Sequence, residues 1–187
     1  MIQVGTFVSN FEQYAQAHSM VVETLSRKDI ESAVHLIQST VRNSGTIWLA
    51  GNGGSGSNAS HASCDFSKGM SQKSSLRVKA ICLNDSTATL SAWTNDTSHE
   101  DALAKMCEVF LAKNDLLLLI SGSGNSQNIT NAAKQSQLMS IPVLALTGFD
   151  GGSLKHLANH NIHVPSNDMQ VVENIHLMLL HWLLRAF

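Results

Sequence analysis

With 187 residues, 43% of them apolar and 14% charged, the chain has material for one domain with a sizeable core. Its net charge is −2 with histidine neutral, and no Lys/Arg stripe is present, which excludes a nucleic-acid phosphate backbone as partner. No run approaches the roughly 18 apolar residues of a membrane span, and the N-terminus lacks the charged-then-apolar order of a secretion signal, so a cytoplasmic protein is expected.

The charged fraction is low for the surface of a monomer, so part of that surface is expected to lie against other copies of the chain. Cys64, Cys82 and Cys107 are odd in number and lack CxxC spacing, which fits reduced thiols.

Residues 1–44 carry no strand signal. Two helices fit them, Val8 to Leu25 and Lys28 to Ser44; the second has Asp29 and Glu31 in its first turn and a stripe of Ile30, Ala33, Val34, Ile37 and Val41. At Thr46 the pattern changes. A strand-length run, Ile47 to Ala50, meets the glycine-rich turn Gly51-Asn52-Gly53-Gly54-Ser55-Gly56, and a helix is expected from Ser57 to Lys68.

Arg77 to Leu83 reads as the second strand, Ser86 to Trp93 as a helix ending in the polar loop Thr94 to Ser98, and His99 to Lys113 as another helix. Asp115 to Ile120 is the strongest strand; its near-continuous aliphatic content predicts burial on both faces of a parallel sheet. The loop Ser121-Gly122-Ser123-Gly124-Asn125-Ser126 leads into a helix over Gln127 to Gln137. Pro142 to Thr147 is a strand, Leu154 to Ala158 a short helix, Asn161 to Val164 a weak strand, and Met169 to Ala186 a long apolar helix. This alternation predicts right-handed crossovers and one open parallel sheet flanked by helices. The expected organisation is a single α/β domain over residues 1–187, with residues 1–44 as a helical pair used in packing or oligomerisation.

Two glycine/serine loops in equivalent places, each between a strand and a helix, fall at the carboxyl edge of such a sheet, where ligands of open α/β sheets bind. Their hydroxyls and backbone N–H groups suit phosphate oxygens without any Lys or Arg. The first loop lacks the Gly-Lys-Ser/Thr ending of a nucleotide-binding P-loop and is not a clean GxGxxG, so no nucleotide cofactor is expected. His61 and Asp65 are four residues apart and share a helix face; Glu173 and His181 lie about two turns apart on the last helix. Two imidazoles and two carboxylates can hold a divalent metal such as Zn²⁺ or can move a proton between adjacent carbons, and spacing alone does not choose. His176, on the same apolar helix, reads as a core histidine. Asn95 and Asp96 are candidates for binding sugar hydroxyls.

The runs AGNGGSGSNASH, ISGSGNS and VPSNDMQVVENIHLMLLH resemble the sugar isomerase (SIS) fold, and within it the phosphoheptose isomerases, which interconvert sedoheptulose 7-phosphate and a heptose 7-phosphate. The resemblance covers essentially the whole chain. It implies a five-stranded parallel, flavodoxin-like sheet and a homotetramer with sites at subunit interfaces. It further implies substrate binding by Asn52, Gly53, Gly54 and Ser55, by Asn95 and Asp96, and by Ser121, Gly122, Ser123 and Ser126. By the same resemblance His61, Asp65, Glu173 and His181 would hold zinc, and Asp65 and His181 would be the acid/base pair of an enediol mechanism. Two positions depart from the family pattern: Asp65 stands for the usual glutamate and Glu173 for the usual glutamine. The expected function is aldose–ketose isomerisation of a seven-carbon sugar phosphate for surface polysaccharide synthesis. The competing readings are an isomerase of a different sugar phosphate and a non-catalytic sensor or protein-binding adaptor.

Overall fold

Five segments pair into one sheet of parallel strands, in the spatial order Lys79–Cys82, Thr46–Gly51, Leu116–Ser121, Val143–Thr147, His160–His163. The computed structural model describes residues 4–187, with side chains from residue 10 onward; residues 1–3 of the expected N-terminal helical segment lie outside the described residues. The strands are β1 (Thr46–Gly51), β2 (Lys79–Cys82), β3 (Leu116–Ser121), β4 (Val143–Thr147) and β5 (His160–His163). The helices are α1 (Val4–Glu23), α2 (Arg27–Arg42), α3 (Gly53–Asp65), α4 (Ser71–Ser74), α5 (Thr87–Asp96), α6 (His99–Phe110), α7 (Gln127–Leu138), α8 (Leu154–Leu157) and α9 (Met169–Arg185).

The period of two in β3 divides the core between the faces of the sheet. Leu116, Leu118 and Ile120 pack with Ala33, Ile37 and Val41 of α2, Ala59 and Ala62 of α3, and Val172, Ile175 and Leu179 of α9. Leu117 and Leu119 face the opposite layer, formed by Leu103 and Met106 of α6, Ile129 and Ala133 of α7, and Leu154 of α8. Every residue of β3 is buried, as its aliphatic run predicts, and each leucine fully removed from water contributes about 1.5–3 kcal/mol. Asp115 stands just before the strand. Its carboxylate accepts from the N–H groups of Thr46 at 2.7 Å and Ala112 at 2.9 Å and from Trp48 Nε1 at 2.9 Å, tying the starts of β1 and β3 together.

Several boundaries differ from the sequence expectation. The helix after β1 starts at Gly53 rather than Ser57, because the poor helix formers Gly53 to Gly56 are held by packing against the strand end. A Cβ at Gly51 would lie 2.6 Å from the carbonyl carbon of Ser55, so only glycine lets the helix turn back this tightly. That helix does not stop at Lys68 either: it runs through a π-turn, Phe66–Met70, into α4. Asn95 and Asp96, expected in a loop, form the last residues of α5. The helix before β3 ends at Phe110 rather than Lys113, since Leu111 is already extended at φ −77° and ψ 140°.

Because β1 lies between β2 and β3, the crossovers leaving its two sides diverge, and a crevice opens at the carboxyl ends of β1 and β3. Both glycine/serine loops emerge there. Among the described residues no helix is long and apolar enough to cross a membrane. All three cysteines are free.

Candidate functional site

The crevice contains a cleft of about 150 Å³ whose walls include Asn52 and Ser55 from the first loop, Ser121, Gly122, Ser123 and Ser126 from the second, and Glu173 from α9. Ser121 Oγ accepts from Gly124 N–H at 3.1 Å, and Ser123 Oγ accepts from Asn125 N–H at 3.2 Å. Each hydroxyl is thereby fixed as an acceptor from its own loop and keeps its proton to donate to an anion in the cleft. Ser126 heads α7 without a side-chain cap bond, so that helix end also stays open to a ligand. Among the described residues no Lys or Arg lines the cleft; the affinity these residues offer an anion comes from hydroxyls, backbone N–H groups and helix termini. Gly54 lies directly beneath the Glu173 carboxylate, where an added Cβ would collide with both carboxylate oxygens.

Farther along α3 and α9, three titratable side chains converge. His61 Nε2 is 3.4 Å from Asp65 Oδ2, His181 Nε2 is 3.5 Å from the same oxygen, and the two Nε2 atoms are 3.3 Å apart. Zinc bound tetrahedrally at about 2.0–2.1 Å spaces its donors by about 3.3 Å, so the three donor atoms fit three corners of such a site. The side chains of His61, Asp65 and His181 are 49%, 30% and 47% exposed. Pairs this accessible add little to stability. Asp65 presents Oδ2 to both imidazoles and keeps Oδ1 for another partner.

The structure thus brings together two groups of the sequence candidates. Asn52, Ser55, Ser121, Gly122, Ser123, Ser126 and Glu173 line the cleft, with Gly54 beneath Glu173 and Gly53 beside it; His61, Asp65 and His181 form the donor group. Glu173, expected with the metal ligands, is not among the donors that converge there. Asn95 and Asp96 do not line the cleft of their own chain: both are exposed on α5, where Asn95 Nδ2 donates to Asp96 Oδ1 at 2.9 Å.

Sequence reasoning named Asn52 but passed over Asn58, Asn84 and Asn128, which help build this site. Asn84 Oδ1 accepts from Gly51 N–H at 3.1 Å, Asn58 Nδ2 donates to the Glu173 carbonyl at 3.0 Å, and Asn52 and Asn128 exchange two bonds of 2.8 Å each. Asparagines inside a serine-rich run carry no periodicity, and their partners lie 33 to 115 residues away, so no local signal marks them. His176, expected in the core, is fully buried, and among the described residues neither ring nitrogen has a hydrogen-bond partner.

Comparison with known proteins agrees with this architecture. The family model described as SIS domain matches residues 10–148. A phosphoheptose isomerase of Helicobacter pylori (strain Shi470) is 33% identical over 177 residues, covering 95% of this chain and 91% of its own. One from Aliarcobacter butzleri (strain RM4018) is 32% identical, covering 95% and 93%. Among solved structures, a phosphoheptose isomerase from Francisella tularensis superposes with a TM-score of 0.89 at 28% identity, covering 100% of this chain and 98% of its own.

Proposed function

This chain belongs to the SIS-domain family, among its phosphoheptose isomerases, and from that premise we propose that it interconverts sedoheptulose 7-phosphate and D-glycero-D-manno-heptose 7-phosphate through an enediol, for surface polysaccharide synthesis. One observation carries the reading: a serine-lined cleft and an imidazole–carboxylate group lie along the same two helices. Ser55 and His61 are six residues apart on α3, and Glu173 and His181 eight apart on α9. Those spacings amount to about 9–12 Å along the helix axes, a reach suited to an extended sugar with its phosphate at one end and its carbonyl at the other.

In this mechanism Ser121, Ser123, Ser126 and the open N-termini of α3 and α7 hold the phosphate, while the Glu173 carboxylate accepts from a sugar hydroxyl. Asn52, Gly53 and Gly54 contribute main-chain groups. Asp65 takes the proton from C1 of the ketose; the enediol is then protonated at C2, and His181 moves the proton between the two oxygens. His61, Asp65 and His181 would also hold a divalent metal of the zinc type, which supplies Lewis-acid polarisation of the carbonyl and its neighbouring hydroxyl. The closeness of Asp65 to two imidazoles, which proton transfer between carbons would need, favours an enzyme over a sensor.

The assembly proposed is a homotetramer in the cytoplasm. Met178 and Trp182, 43% and 45% exposed on α9, flank an apolar groove with Val22, Leu25 and Ile30, a surface suited to a second copy. Asn95 and Asp96, exposed away from their own cleft, suit a neighbouring copy's site; a sedimentation mass of one chain would contradict this arrangement. The enzymatic claim is tested by turnover of sedoheptulose 7-phosphate. The wild type is expected to form the aldose, and Asp65→Asn to lose at least about 10²-fold in kcat while still binding the sugar phosphate. Full activity in Asp65→Asn would remove Asp65 from the mechanism.

A further inference from the structure

Asparagine and serine are favoured at helix N-caps because their side-chain oxygens accept from N–H groups in the first turn. Three helices use them, or aspartate, in that way: Ser26 accepts from Asp29 N–H, Ser98 from Asp101 N–H, and Asp168 from the N–H groups of Gln170 and Val171. Asn52 heads α3 in the extended conformation of a cap residue, φ −111° and ψ 149°, yet makes no cap bond. Its amide is spent elsewhere. Asn52 Nδ2 donates to Asn128 Oδ1 and Asn128 Nδ2 donates to Asn52 Oδ1, both at 2.8 Å. Asn128 is the second residue of α7 and is buried at 4% exposure, so it offers a fixed partner.

The consequence falls on α3. Its first intrahelical backbone bond is Gly56 N–H to the Asn52 carbonyl, and among the described residues no acceptor takes the N–H groups of Gly54 and Ser55.

We propose that Asn128 is a positioning residue of the binding cleft. By pairing with Asn52 it keeps that amide from capping α3 and leaves the first-turn N–H groups open to an oxygen of the phosphorylated ligand. This rests on the reading of the cleft as a phosphate site. An Asn128→Ala variant frees Asn52 to cap α3 and close those N–H groups. The Asn52→Gly/Asn128→Ala double variant removes the competing amide while keeping a residue tolerated at an N-cap.

The test is calorimetric titration of inorganic phosphate and of sedoheptulose 7-phosphate into the full chain, with kcat, KM and thermal midpoints measured alongside. Asn128→Ala is expected to weaken both ligands by about tenfold, the size of one cap-strength interaction, through KM rather than kcat. The double variant is expected to recover most of that affinity. Unchanged binding by Asn128→Ala, or equal loss in the single and double variants, would overturn the proposal. Asn128→Ser, which keeps a small polar group at the buried position, replaces the alanine variant if that one does not fold, and the same pattern is expected of it. Absence of sugar-phosphate binding by the wild type would instead overturn the reading of the cleft itself.

Discussion

His176 sits three residues beyond Glu173 on α9 and is fully buried. Burial is the main force that holds its pKa down to about 4 against the ordinary imidazole value of 6.5; the nearby Thr147 main chain opposes the shift, and His163 adds to it. His163 is itself lowered, by burial first and then by Lys155, with Asp150 opposing. The ring of His176 is therefore neutral in the fold at any pH near neutrality and protonates more readily once unfolded. Since the unfolded chain binds the extra proton, stability is fully present above about pH 6.5 and is lost as pH falls from there toward 4. Burial of this depth makes the loss at pH 5.5 on the order of 1 kcal/mol from His176 alone. Urea unfolding at pH 7.5 and 5.5 is expected to show that loss in the wild type and a smaller one in His176→Leu. An identical pH dependence in both would contradict this account. At the residue scale, the histidine's place in the core was legible from its apolar neighbours. The pairing of His61 with Asp65 was legible from four-residue spacing, whereas the arrival of His181 at 3.5 Å depends on how α9 crosses α3, which no spacing encodes.

The element that matters most is α9, because it delivers Glu173 to the cleft and His181 to the donor group. Its start is fixed by Asp168, whose Oδ1 accepts from Gln170 N–H at 2.9 Å and Val171 N–H at 3.2 Å. Asp168→Ala is expected to lower unfolding stability by about 1 kcal/mol, and Asp168→Asn to keep most of it, because asparagine still caps. Equal stability in all three proteins, by urea titration, would remove the cap from the account. The matching element is α3 with its π-turn. Phe66 and Met70 are both fully buried in that turn, directly after Asp65, and π-turns of this kind recur at functional sites. Strands and most helices were legible because apolar runs and stripes report burial directly. The start of α3 and the π-turn were not: glycine and serine have low helix propensity, and the π-turn is held by packing of Phe66 and Met70 into the core.

At the scale of the whole molecule, the parallel order β2-β1-β3-β4-β5 brings two loops about seventy residues apart in sequence to one crevice. The alternation of strands and helices predicts that such a crevice exists and that both serine loops reach it. It does not predict that Asn52 and Asn128 lock together there, nor that Asn95 and Asp96 stay away from the cleft of their own chain, since both facts depend on how layers pack and on what lies beyond one chain. The central claim is that a phosphate cleft and an acid/base group act on one sugar phosphate. The most direct test is NMR of sedoheptulose 7-phosphate turned over in D₂O by the wild type and by Asp65→Asn. Formation of the aldose with deuterium at C2 in the wild type, lost in the variant, is the predicted result. Saturable binding of the ketose with neither aldose formation nor exchange of its C1 hydrogens in the wild type would contradict it.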